Sequence, residues 1–275
     1  MRRWITAAML ASLGALAGCP GPAEPKDGHP EGARPAGGED ALPRPPGEIA
    51  DRIEDLSAPE WEIRGPAVRK IAGAGRWIVP FLLVALKNPD PLNRMEAAYC
   101  LGRIGDPVAA PPLIALLRED PPTDQTVILA DALGALGDGA ALEVLRPKLK
   151  YTVEREVYGR TVGPVEIKMM ESREATVRQA AAEALARLGD TTGMPLLIQG
   201  LAGNGWVRRD ASVRLDRLTG GKVDFGFYLD MPKTEVDKVI ASWNAWWEKN
   251  RAAFKPDIRW SVDGLDVYRP RKKEK

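Results

Sequence analysis

The sequence predicts an all-α solenoid of about five helix pairs, and three observations carry that reading. A helical frame recurs with starts at residues 63, 93, 125, 177 and 207. Every copy ends on glycine, which supplies the left-handed conformation that closes a helix. A second apolar helical stretch follows each copy. The clearest frame runs Val177-Arg178-Gln179-Ala180-Ala181-Ala182-Glu183-Ala184-Leu185-Ala186-Arg187-Leu188-Gly189-Asp190. It places apolar or small residues at i, i+4, i+5, i+8 and i+11, one face of a helix.

The other copies keep the same frame. One passes from Asn93-Arg94 through Ala97-Ala98, Cys100-Leu101 and Ile104 to Gly105-Asp106. Another starts at Gln125 and passes Leu129-Ala130, Ala132-Leu133 and Leu136 to Gly137-Asp138. Degenerate copies run from Ile63-Arg64 to Gly75 and from Val207-Arg208 to Gly220. Alanine in the middle of a frame lets a neighbouring helix come close, and the aspartate after the glycine reads as a turn residue and a cap for the next helix. The second helices are legible in Ile78, Phe81, Leu82 and Leu86, in Pro111 to Leu117, in Leu142, Val144, Leu145 and Leu149, and in Met194 to Ile198. Proline is tolerated in a first helical turn.

A unit of about 30 residues with this pattern resembles a HEAT repeat of the short bacterial type, over residues 48 to about 250. The resemblance implies a HEAT-type solenoid whose units bury their apolar faces only by stacking. It also implies that the recurring Arg64, Arg94, Arg178 and Arg208 pair with turn aspartates of adjacent units as a structural ladder. Some HEAT proteins are iron-dependent hydroxylases that carry His-Glu pairs, and others attach bilin chromophores. This chain has no such pair and no match to the second group beyond the repeat.

The frame spacings are 30, 32, 52 and 30, so the third gap holds one period and an insertion of about 22 residues. Tyr151, Val153 and Val157, then Val165, Ile167 and Met169, alternate with polar residues around Gly159 and Gly163-Pro164. That pattern predicts a small β-hairpin at about 151–171, between the third and fourth units. Such an insertion projects from one edge of a solenoid and is a candidate partner contact. After the last frame a helix is expected over 233–250, with Val236, Val239, Ile240, Trp243, Trp246 and Trp247 at steps of three and four. Its tryptophans read as a cap on the open end of the array rather than a ligand box. Leu218-Thr219-Gly220, Asp224 to Phe227 and Trp243 to Asn250 are similar to the C-terminal end of many bacterial HEAT proteins. Residues 251–275 form an extension that ends in a basic tail, Arg269 to Lys275.

The N-terminus carries a different message. Arg2 and Arg3 precede an uncharged run from Trp4 to Leu16, long enough for a signal sequence and too short to span a bilayer. Leu16-Ala17-Gly18-Cys19 resembles the lipobox of bacterial lipoproteins. The resemblance implies cleavage of residues 1–18 and lipid on Cys19, hence a protein anchored in the cell envelope on its periplasmic side. Proline at position 20, rather than aspartate, leans toward the outer membrane. Residues 19–47 then read as a disordered tether, since eight prolines and six glycines fill half of positions 20–47.

Losing residues 1–18 moves the formal charge from +1 to −1, which gives no sign of nucleic-acid binding. With Cys19 acylated, Cys100 stands alone and no internal disulfide can form. The single histidine, His29, lies in the tether and excludes a Ser-His-Asp triad or a multi-histidine metal site in the repeats. No phosphate loop or dinucleotide fingerprint is present. Acidic pairs such as Glu54-Asp55 and Glu119-Asp120 read as surface charge. The expectation is a non-enzymatic, membrane-anchored scaffold with no catalytic residues, metal or cofactor, gripping a protein partner on the concave, second-helix surface. An envelope enzyme using carboxylates on cell-wall polymer is the alternative. Replacing Cys19 with serine should release the protein from membranes and abolish labelling by a fatty-acid probe; a variant that still fractionates with membranes places the anchor elsewhere.

Overall fold

A computed structural model describes residues 45–152, 156–157, 160–161 and 164–258. The signal segment, Cys19, His29 and the basic tail lie outside the described residues. After α1 (Gly47–Glu54), the frames form α2 (Trp61–Ala72), α4 (Pro91–Ile104), α6 (Thr123–Leu136), α8 (Pro164–Arg187) and α10 (Gly205–Thr219). The second helices are α3 (Val79–Ala85), α5 (Ala110–Arg118), α7 (Leu142–Leu145), α9 (Met194–Gly200) and α11 (Lys233–Asn250). The result is an all-α solenoid.

Each frame helix ends as its sequence dictates. Gly105 and Gly137 close α4 and α6 with φ of 71° and 73°, a conformation that costs a side-chain-bearing residue extra energy. Asp106, Asp138 and Asp190 then cap the next turn, each accepting from the backbone N–H two residues on. That turn is a short 3-10 segment leading into the second helix.

The frame columns bury what the pattern assigns to them. Ala97, Leu101, Ala130, Leu133, Ala181, Leu185, Ala211 and Leu215 are all inside. From the second helices Leu82, Leu113, Leu117, Leu145 and Leu197 close the layer from behind; each fully buried leucine contributes about 1.5–3 kcal/mol. Cys100 belongs to this core, and burial pushes its thiol well above the ordinary range. Adjacent frame helices approach so closely that a Cβ on Gly102 would stand 2.7 Å from the Cα of Ala132, and one on Gly134 would stand 2.7 Å from the Cα of Ala184.

The insertion departs from the expected hairpin. Antiparallel pairing is confined to β1 (Glu156–Val157) and β2 (Arg160–Thr161). Val165, Ile167 and Met169, read as the second strand, belong to the 24-residue α8. Proline at the start and the Glu166, Lys168, Met169, Met170, Glu171 series favour helix, and that helix runs without a break into the frame. A short run of alternating residues carries either period, and length decides between them.

At the other end, α11 buries Val236, Val239, Trp243 and Trp247 together with Met194, Leu197, Ile198 and Leu218. Trp243 meets the Phe225 ring edge-on at 5.2 Å, and Trp247 meets Phe254 at 5.4 Å. The helix spacing principle behind the frames yields a direct test. Gly134→Val should lower unfolding free energy in urea by about 1–3 kcal/mol through overpacking against Ala184. Gly139→Ala, where a Cβ meets nothing within 4 Å, should change it by less than about 0.5 kcal/mol.

Candidate functional site

The repeated arginines come first, because their recurrence invites a ligand-binding reading. The Arg94 guanidinium donates to the carbonyls of Asn88 and Pro89, 2.7 and 2.8 Å away. Arg64 donates in the same way to Ala58 and Pro59, Arg178 to Tyr151, and Arg208 to Gly203. For Arg64, Arg94 and Arg208 these carbonyls lie in the loop directly ahead of the frame helix, so the arginine pins its own entry loop; Tyr151 lies ahead of the insertion, at the end of the preceding 3-10 segment. In the third unit the position holds Thr126, whose hydroxyl donates to Pro121 at 2.8 Å. The expected pairing of these arginines with turn aspartates is therefore corrected. Two of those aspartates do meet a neighbouring unit, but through the 3-10 turn or its successor: Arg76 with Asp106, and Arg146 with Asp190 at 2.8 Å. The frame arginines lie about three helical turns ahead of the turn that closes the frame, out of its reach. Arg64 alone of the four joins the next frame helix, through Glu96 at 2.9 Å.

The densest polar constellation was not visible as a motif. Glu183, near the C-terminal end of α8, accepts from Arg187 at 3.0 Å, Arg214 at 2.8 Å and Arg217 at 2.6 Å. Arg214 also donates to Asp210 at 2.8 Å and to Asp131, on α6, at 2.6 Å. Burial alone would push the Glu183 carboxyl up, but Arg217, Arg214 and Arg187 together hold it down to about 2. Asp210 moves the other way, raised because burial outweighs the attraction of Arg214. Tyr99 on α4 is raised by burial too, while Arg103 and, more weakly, Arg217 pull it down.

The Arg214–Asp131 ion pair reaches over α8, so α6, α8 and α10 turn one shared charged face to the same side of the frame layer. The sequence signal for the cluster was an arginine at 214, in a column that otherwise buries Cys100, Ala132 and Ala184, facing the acidic pair Asp131 and Glu183 one column earlier.

The chemistry of the cluster is that of a clamp. A carboxylate ionised down to about pH 2 and engaged by three guanidinium groups is no proton donor near neutrality. Among the described residues no group of three or more His, Cys, Asp or Glu is placed to hold a metal ion. Cys19, the one site residue expected from the sequence, is outside the described residues.

Glu183 also sets an acid dependence. Its folded pKa lies below the ordinary 4.5, so its ionisation stabilises the fold above that value and the contribution is lost as pH falls toward about 2. Glu183→Gln should cost about 3–5 kcal/mol at pH 7 by leaving buried guanidinium charge uncompensated. It should also flatten the acid limb of the stability profile, measured by urea unfolding from pH 7 down to pH 2. An unchanged acid limb would mean the cluster does not hold the units together.

Residues 49–130 match a profile of HEAT repeats, and residues 177–203 match one described as a PBS lyase HEAT-like repeat. No curated protein is similar enough to the chain to count as a relative. The chain carries HEAT repeats over these residues, and the helix pairs that contain them stack as an all-α solenoid.

Proposed function

We propose that the protein is a membrane-anchored scaffold, held in the cell envelope by lipid on Cys19 and gripping a protein or peptide through its solenoid surface. HEAT repeats commonly mediate protein–protein interaction and are typically non-catalytic, which supports the scaffold half of this reading. The lipobox-like Leu16 to Cys19 supports the anchor.

One observation carries the reading furthest. The edge where α8 and α10 begin exposes large apolar side chains: Trp206 is 69% exposed and Met169 57%. Ser172, in the third turn of α8, and Asn204, ahead of α10, are hydrogen-bonded at 2.7 Å, which ties the start of α10 to α8. Leu229 and Tyr228 are exposed as well, and the Leu229 carbonyl is tied to Arg208. An exposed tryptophan among apolar neighbours fits the composition of protein interfaces.

A photo-reactive residue placed at Met169 or at Trp206 should trap one discrete partner in intact envelopes. A substitution at Arg146, on the opposite edge, should trap none. Absence of an adduct at both apolar positions would remove the scaffold reading of this edge.

A further inference from the structure

The second helices repeat one register. The residue two places ahead of each helix, its second residue and its sixth face solvent. Neighbours such as Ile78, Val79 and Leu82, or Ala109, Ala110 and Leu113, turn into the core. In the first unit the outward positions hold Trp77, Pro80 and Val84 around α3, and in the second Val108, Pro111 and Ala115 around α5. Trp77 is 49% exposed and Val108 56%. The half-buried Phe81 ring meets Trp77 edge-on at 6.2 Å and widens the apolar surface. Arg76, next to Trp77, reaches Asp106, two residues ahead of Val108, so the two helix starts lie side by side. The same outward positions carry Glu143 in the third unit and Thr192 and Gln199 in the fourth, with alanine or proline at the rest. The apolar stripe is confined to the first two units.

These are also the units nearest in sequence to Cys19. The described solenoid begins at Pro45, 26 residues after that cysteine. Even fully extended, a chain of that length spans at most about 90 Å, so lipid on Cys19 would keep the first two units beside the bilayer. Holding two surfaces on one tether gives a local concentration on the order of millimolar, enough to populate a weak contact. Charge around the stripe is mixed and already matched: Arg76 with Asp106, Arg118 with Glu143, and Lys87 in an interaction of its own. A contact there is therefore carried by the apolar side chains rather than by attraction to a charged headgroup. Tryptophan, with an apolar ring and one N–H, suits the boundary between headgroups and acyl chains. Among the described residues no helix is long and apolar enough to cross a membrane, so such a contact stays peripheral.

We propose that the stripe formed by Trp77, Pro80, Val84 and Val108 is a second membrane contact, seated in the interfacial zone of the lipid bilayer that carries the anchor. The proposal rests on the anchor reading. It lays the outward face of the first two second helices against lipid and leaves the edge at Trp206 and Met169, on the last two units, to a protein partner.

The test uses the lipidated chain in vesicles of phosphatidylcholine, alone or with phosphatidylglycerol, that contain nitroxide-labelled lipid as quencher. A fluorophore is attached at Val84→Cys or, as control, at Gln199→Cys, the equivalent outward position of the fourth unit. Cys100 is buried with its thiol pushed up, and stays unlabelled. Quenching at position 84 should exceed that at 199 by about three-fold or more, since an interfacial contact lies within about 5–10 Å of the headgroup–acyl boundary. It should be the same in both lipid mixtures and insensitive to salt. Trp77→Ser with Val108→Ser should bring position 84 down to the level of 199 while helicity and cross-linking at Met169 and Trp206 stay unchanged. Equal quenching at 84 and 199 in protein that floats with the vesicles overturns the contact, and so does quenching that survives the double substitution. Protein that does not float with the vesicles overturns the anchor, and the contact falls with it, so the two failures are told apart.

Discussion

Close contact between neighbouring frame helices is the constraint on which the rest of this solenoid depends. The backbone of α6 touches α4 at Gly102 and touches α8 at Gly134, with no room for a side chain at either point. Small residues in those columns set the distance between units, and that distance fixes which long side chains can reach across. The same short spacing brings the α6, α8 and α10 carboxylates and guanidinium groups within ion-pair range. The second helices cover the other side of the frame layer with buried leucines.

The charged cluster is costly to bury and persists because its charges compensate one another. Glu183 and Arg214 are almost wholly withdrawn from water, and desolvation of either alone would cost several kcal/mol. Three carboxylates, Asp131, Glu183 and Asp210, face three arginines, Arg187, Arg214 and Arg217, so the group is formally neutral. Arg214 joins α6 to α10 across α8, which ties the last three frame helices into one unit.

Departures from the repeat are therefore more informative about function than the repeat. Regular positions, such as the loop-pinning arginines and the capping aspartates, satisfy backbone groups that any helix pair leaves over. Their job is the same in each unit. The irregular positions do different things: Thr126 ties its entry loop with a hydroxyl in place of a guanidinium, and α8 extends beyond its frame toward the insertion.

Composition and period alone determined the helix pairs, their order, the closing glycines and the capping aspartates, because all of these rest on interactions within about one helical turn. The lipobox-like segment is likewise a property of the sequence read locally. Which helix faces share charged contacts was decided only by the tertiary structure, since Arg214 and Asp131 stand 83 positions apart in the chain. The fate of Val165 to Met169 was decided there as well: five alternating residues fit a strand or a helix, and continuity with the packed frame of α8 settles it. The cluster around Glu183 stayed hidden for the same reason, because charges spaced along three separate helices carry no motif until stacking brings them to one point.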